Sequence, residues 1–120
     1  MHATARPGWD IYQKSILLVL KLQLKFIWNH RNDFLKRIKT TQPTCMVIEE
    51  ENEAIAFAEI YANKAFAILP LKYSFIFNDS VKVIPFEDET ITFGLYSLSN
   101  KKAVRLKNAI QDFLKQHEKN

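Results

Sequence analysis

The residues of this chain able to do chemistry are few: one cysteine, Cys45; three histidines, His2, His30 and His117; and a run of carboxylates, Glu49, Glu50, Glu51 and Glu53. A thiolate beside an imidazole would make a nucleophile, histidines and carboxylates together a metal site, and paired carboxylates an acid and a base. Cys45 lies within Thr44-Cys45-Met46-Val47-Ile48, an apolar run in which it reads as a small buried hydrophobe; a lone cysteine also excludes an internal disulfide and suits a reducing cytosol. The histidines are far apart in sequence and two lie near the termini, so each reads as a surface residue and no metal site is expected. The glutamates precede and enter a helix, where its dipole already accounts for them. With Gly8 and Gly94 as its only glycines, the chain has neither a phosphate-binding loop nor a dinucleotide fingerprint, and it shows no nucleophile elbow and no His-Glu zinc helix. No catalytic residue and no cofactor are expected. An enzyme of another kind would need a cleft that gathers His30 or Cys45 with a carboxylate.

The elements that would position these groups alternate. The run at 44–48 is a strand, and Ile55, Ala58 and Ala62, widened by Phe57, Ile60 and Tyr61, predict a helix after it. Ala65-Phe66-Ala67-Ile68-Leu69, stopped by Pro70, has the pattern of a strand covered on both faces, and Val81-Lys82-Val83-Ile84, stopped by Pro85, repeats it. Ile91, Phe93 and Leu95 alternate with Thr92, Gly94 and Tyr96 as a further strand. Ala103, Leu106, Ile110, Phe113 and Leu114 share one side of a closing helix that Ser99 or Asn100 would cap. Before them, Phe34, Leu35 and Ile38 form the apolar side of a helix whose solvated side carries Arg31, Lys36, Arg37 and Lys39. For residues 11–28 the spacing favours a helix to about Leu20 and a strand from Leu22 to Trp28. Lysines 21 and 25 interrupt that apolar stretch, which is too short to span a membrane, and Asp10 before it argues against a signal peptide.

The stretches EEENEAIAFAEIYANKAFAILP, VKVIPFEDETITFGLYSLSN and VRLKNAIQDFL resemble, in order and spacing, the last part of the effector-binding domain of LysR-type transcriptional regulators, over about Asn32 to Lys115. The family usually has two glycines in the turn before the ALLP-like strand; here Asn63 and Ala65 take those places, and Asn is the next-best residue for a left-handed helix cap. The resemblance implies an α/β fold, one lobe of a periplasmic-binding-protein-like (type 2) pair. The second lobe would run from about Phe26 to Pro85 and the returning strand and helix from about Thr90 to Lys115. Residues 1–25 would then be a poorly matched N-terminal segment and 26–118 a partial substrate-binding domain, without the DNA-binding helix-turn-helix and most of the first lobe.

The functional expectations follow from that resemblance. A small-molecule effector would sit at the lobe edge near Asn52, Glu53 and Ala54, where the first amides of a helix can hold an anion, with Asn29 and Arg31 as further cleft residues. The glutamates there would repel an anionic ligand, so either the ligand differs or the pocket has fallen out of use. Ile91, Phe93, Leu95, Leu106, Ile110 and Phe113 would form an exposed interaction surface, because the first-lobe sheet that covers them in the family is missing. Self-association or pairing with a full-length LysR-type regulator would cover it. The net charge of +4 comes without a recognition helix or RNA-binding motif, so no direct DNA binding is expected, nor a membrane partner; the location expected is cytoplasmic. The alternative is a small non-enzymatic binding module that reuses one α/β lobe for a protein partner or a small ligand.

Overall fold

A computed structural model describes residues 15–20, 24–87 and 92–118. Its centre is β1 (Ser15–Leu20), where Leu17 and Val19 point to one side of the sheet and Leu18 and Leu20 to the other, all buried. A strand covered on both faces has no need of polar alternation, and its uninterrupted apolar run can pass for part of a helix. This corrects the expected order: 15–20 is strand, and Lys25–Asn29, expected to be extended, is the short helix α1. Parallel neighbours on both sides settle the matter, β2 (Cys45–Glu50) on one and β3 (Ala65–Pro70) on the other.

Helix α2 (Arg31–Thr41) carries the chain from α1 to β2 and buries Phe34 and Ile38. Helix α3 (Glu53–Tyr61) then leads to β3. Its buried residues are Ala56 and Ile60, whereas Ile55, expected in the apolar stripe, is exposed. It ends as the Asn in place of glycine allows: Asn63 takes φ 57°, with the Asn63 N–H on the Ile60 carbonyl and the Lys64 N–H on the Glu59 carbonyl. That pair of bonds is a Schellman motif and satisfies carbonyls the helix would otherwise leave open.

After β3 a 3-10 turn (Leu71–Phe75) leads toward β4 (Lys82–Pro85), and β5 (Phe93–Ser97) follows. The sheet order is β2-β1-β3-β5-β4, with β5 antiparallel to both β3 and β4. Helix α4 (Asn100–Glu118), which Ser99 precedes, closes the chain. One face of the sheet (Leu17, Val19, Phe66, Ile68 and Leu95) packs with residues of α1, α2 and α4. The other face (Leu18, Leu20, Ala67, Leu69 and Tyr96) packs with α3, Phe77 and Val81. Among the described residues no helix is long and apolar enough to cross a membrane.

The returning strand and helix therefore do not form an exposed surface. Leu95, Leu106, Ile110 and Phe113 are at most 1% exposed, and Phe93 is partly buried against the same cluster; Ile91 lies outside the described residues. The expected exposure assumed that a second sheet is needed to cover them. Instead β5 slots between β3 and β4, and α4 lies across the resulting sheet, so strands of the same chain supply the cover.

Candidate functional site

Among the described residues, polar groups gather at the carboxyl edge of the sheet and at the start of α2. The first is set by topology. From β1 the chain passes outward to β2 and then crosses to β3 on the opposite side of β1, so a crevice is expected at the carboxyl ends of these parallel strands. At that edge β2 is followed by the first turn of α3 and β3 by the 3-10 turn, and β5 begins there. Asn52 caps α3, its side-chain oxygen accepting from the N–H groups of Ala54 (2.8 Å) and Ile55 (3.3 Å). The Glu50 carboxylate accepts from the N–H groups of Glu51 and Asn52, both at 3.0 Å. Tyr73 Oη donates to Glu53 at 2.6 Å, tying the 3-10 turn to the helix start.

Asn52, Glu53 and Ala54 thus do come together at the head of α3, but the amide at Ala54 and its neighbours are held by the chain's own side chains. An anion would have to displace Asn52 or Glu50 to use them. Where β3 ends and β5 begins lies an open concavity of about 430 Å³ lined by Pro70, Lys72, Thr92 and Phe93. Its rim is braced by Tyr96, whose hydroxyl donates to the Pro70 carbonyl at 2.6 Å. Burial, and next the neighbouring Tyr73, push the Tyr96 phenol up to about 12, so it stays a donor throughout the neutral range.

Asn29 and Arg31 do not join this edge group. Both belong to the α1–α2 side of the sheet, whereas α3 packs on the other. The Arg31 guanidinium lies 5.7 Å from the centre of the Trp28 ring, a cation–π contact that suits a surface cation. With Asn29, His30, Asn32 and Asp33 these residues border an open hollow of about 440 Å³.

The second place is at the start of α2. His30 joins α1 to α2: its N–H donates to the carbonyls of Phe26 and Ile27, and its carbonyl accepts from the Phe34 N–H at 2.9 Å. Asp33 follows in the first turn, on the same side of the helix as His30. Helix α4 packs beside α2 and brings His117 from its last turn, with ring centroids of His30 and His117 4.8 Å apart. Phe26 and Phe113 pack against both imidazoles at tilted or edge-on angles, and Phe34 packs edge-on against Phe113. His117 Nδ1 lies 3.0 Å from the Phe113 carbonyl, and its Nε2 lies 3.2 Å from an Asp33 carboxylate oxygen. The His117 side chain is 11% exposed and that of Asp33 66%.

The expectation of three unconnected surface histidines is therefore corrected for two of them; His2 lies outside the described residues. The His30–Asp33 spacing was a readable signal, since residues three apart share a helix face. His117 is 84 positions from Asp33 and gave none. Two imidazoles and a carboxylate can share a proton or hold a divalent cation. Cys45 is buried, and desolvation raises its thiol from 9.0 to about 11, which leaves it protonated and unreactive near neutrality.

Comparison with known proteins found no matching family model, no matching curated protein and no matching solved structure.

Proposed function

We propose that this chain is a small non-enzymatic binding module built on a single, self-closed α/β lobe, related through its order of strands and helices to the effector-binding domain of LysR-type transcriptional regulators. The supporting observation is the covered returning segment: Leu95, Leu106, Ile110 and Phe113 are buried by the chain's own sheet and helices. A fragment awaiting a missing lobe would leave that face to water, at roughly 25 cal/mol for each Å² of apolar surface. In this reading the lobe has no obligatory second half. Its ligand, a small-molecule effector, lies at the carboxyl edge of β1 and β3, against Lys72, Thr92 and Phe93.

Light scattering coupled to size-exclusion chromatography, followed by thermal melting, tests the proposal. It requires a monomer with one cooperative transition. An aggregate, or a species that melts cooperatively only when mixed with an intact LysR-type regulator, would return the truncated effector domain as the better reading. Amide chemical shifts recorded with succinate and with putrescine test the edge. Shifts confined to the first turn of α3, residues 71–75 and residues 92–93 support it; shifts spread over the α1–α2 side would move the ligand elsewhere.

A further inference from the structure

We propose that His30, Asp33 and His117 bind one divalent transition-metal ion, of the zinc, cobalt or nickel type, and that the ion clips the last turn of α4 to the start of α2. The inference does not depend on the ligand edge, which is lined by other residues, Pro70, Lys72, Thr92 and Phe93. It begins with the two nitrogens of His117. Nδ1 faces the Phe113 carbonyl at 3.0 Å and Nε2 faces the Asp33 carboxylate at 3.2 Å. Both neighbours are acceptors. A neutral imidazole carries one N–H, so in either tautomer one lone pair is aimed at an oxygen lone pair. The contact becomes favourable when a positive charge lies on the Nε2 side, either a second proton or a metal ion.

The surroundings favour the metal. A ligating histidine commonly donates its other N–H to a backbone carbonyl, which fixes the tautomer and aims the free nitrogen at the ion. Nδ1 of His117 on the Phe113 carbonyl is that arrangement, and it leaves Nε2 as the ligating atom. Two donor atoms bound tetrahedrally at 2.0–2.1 Å lie about 3.3 Å apart, and Nε2 and the Asp33 oxygen are already 3.2 Å apart. One donor atom from each of the three residues falls within 4.8 Å of the others. Closing the wider separations falls to the side chains of His30 and of the largely exposed Asp33.

The rest of the shell is consistent with such an ion. The rings of Phe26 and Phe113 pack against both histidines and give the site an apolar wall. Lys36 and Arg37 line the adjoining hollow, where their charges oppose a cation, and the Gln116 side-chain oxygen accepts from the Arg37 guanidinium. Two imidazoles and one carboxylate suit borderline metals over calcium or magnesium, and three protein ligands leave a fourth position for water on the exposed side.

The test uses the full chain without an affinity tag, stripped with chelator and titrated with CoCl2 while visible absorption is followed, then with ZnCl2 by calorimetry. The expected result is one ion per chain, cobalt bands of a four- or five-coordinate site that zinc abolishes, and a melting temperature raised by either metal. His30→Ala, Asp33→Asn and His117→Ala should each weaken zinc binding about tenfold or more and remove the metal-dependent rise in melting temperature. His2→Ala should change neither. Melting each variant in chelator shows whether it folds, and the conservative Asp33→Asn keeps the test decisive should a histidine variant fail to fold. Absence of binding would overturn the proposal. Undiminished binding in Asp33→Asn and His30→Ala, or its loss in His2→Ala, would also overturn it.

Discussion

Gln111 shows how one buried polar side chain can satisfy both backbone groups of a residue. It is 4% exposed on the inner side of α4, and there its Nε2 donates to the Glu87 carbonyl at 3.0 Å while its Oε1 accepts from the Glu87 N–H. Both backbone groups just beyond β4 are thereby satisfied by a side chain. Gln111→Ala would leave donor and acceptor unpaired, and we expect a loss of about 2 kcal/mol in urea unfolding; a loss below about 0.5 kcal/mol would mean that water replaces the clamp. Cys45 gives a pH-dependent prediction. The thiol rises from 9.0 to about 11 in the folded chain, so the fold favours the neutral form. Its contribution is complete below pH 9 and is lost as pH climbs through 11, by about 3 kcal/mol at most. Other groups titrate there too, so the measurement is the difference between wild type and Cys45→Ala across pH 8–11.5, which should shrink as pH rises; a flat difference would count against the burial argument. At this scale Asn63 was legible in the sequence, because few residues besides glycine tolerate its backbone. Gln111 and His117 were not, because their partners come from other elements.

Among the elements, those with local punctuation were the ones the sequence specified. The Schellman end of α3, the prolines that end β3 and β4, and the acidic approach to α3 each leave a residue-level mark, and β2, α3, β3 and α4 lie close to where the pattern puts them. β1 leaves no such mark: its identity depends on neighbours that pair with it from positions 45 and 65 onward. The placement of β5 was equally hidden, since alternation reveals a strand without revealing its position in a sheet. Gly94 is a trace of that position. A Cβ there would lie 2.8 Å from Leu71 Cδ2 and 3.1 Å from the Ile84 carbonyl oxygen, closer than side chains tolerate. We expect Gly94→Ala to destabilise the chain by about 1–3 kcal/mol. Leu71→Ala in the same chain should recover part of that loss, because the Leu71 side chain can be removed and the Ile84 carbonyl cannot. If the double variant recovers nothing, the backbone contact dominates; if Gly94→Ala is harmless, the β4–β5 approach is looser than described.

For the molecule as a whole, the question is whether α4 is a lid on a finished lobe or a part without which no lobe forms. Ala103, Leu106, Ala109, Ile110, Phe113 and Leu114 all belong to the core cluster on the α1–α2 side of the sheet, so that side has no complete core without the helix. The other side is built by α3, Phe77 and Val81, to which the helix contributes nothing. Two outcomes can therefore be separated by experiment. If α4 is integral, a chain ending at Leu98 should retain much of its far-ultraviolet circular dichroism, lose its near-ultraviolet signal and show no cooperative melt, as expected when secondary structure persists without fixed packing. A synthetic peptide of residues 99–118 should then restore the cooperative transition, in proportion to its occupancy. If the shortened chain instead melts cooperatively by itself, α4 is an appendage, the face beneath it is free to receive another surface, and the exposed interface inferred from sequence would return. The packing of α4 predicts the first outcome: Phe113 alone touches Phe26 and Phe34 from two helices, and Phe113→Ala should by itself cost about 3–5 kcal/mol.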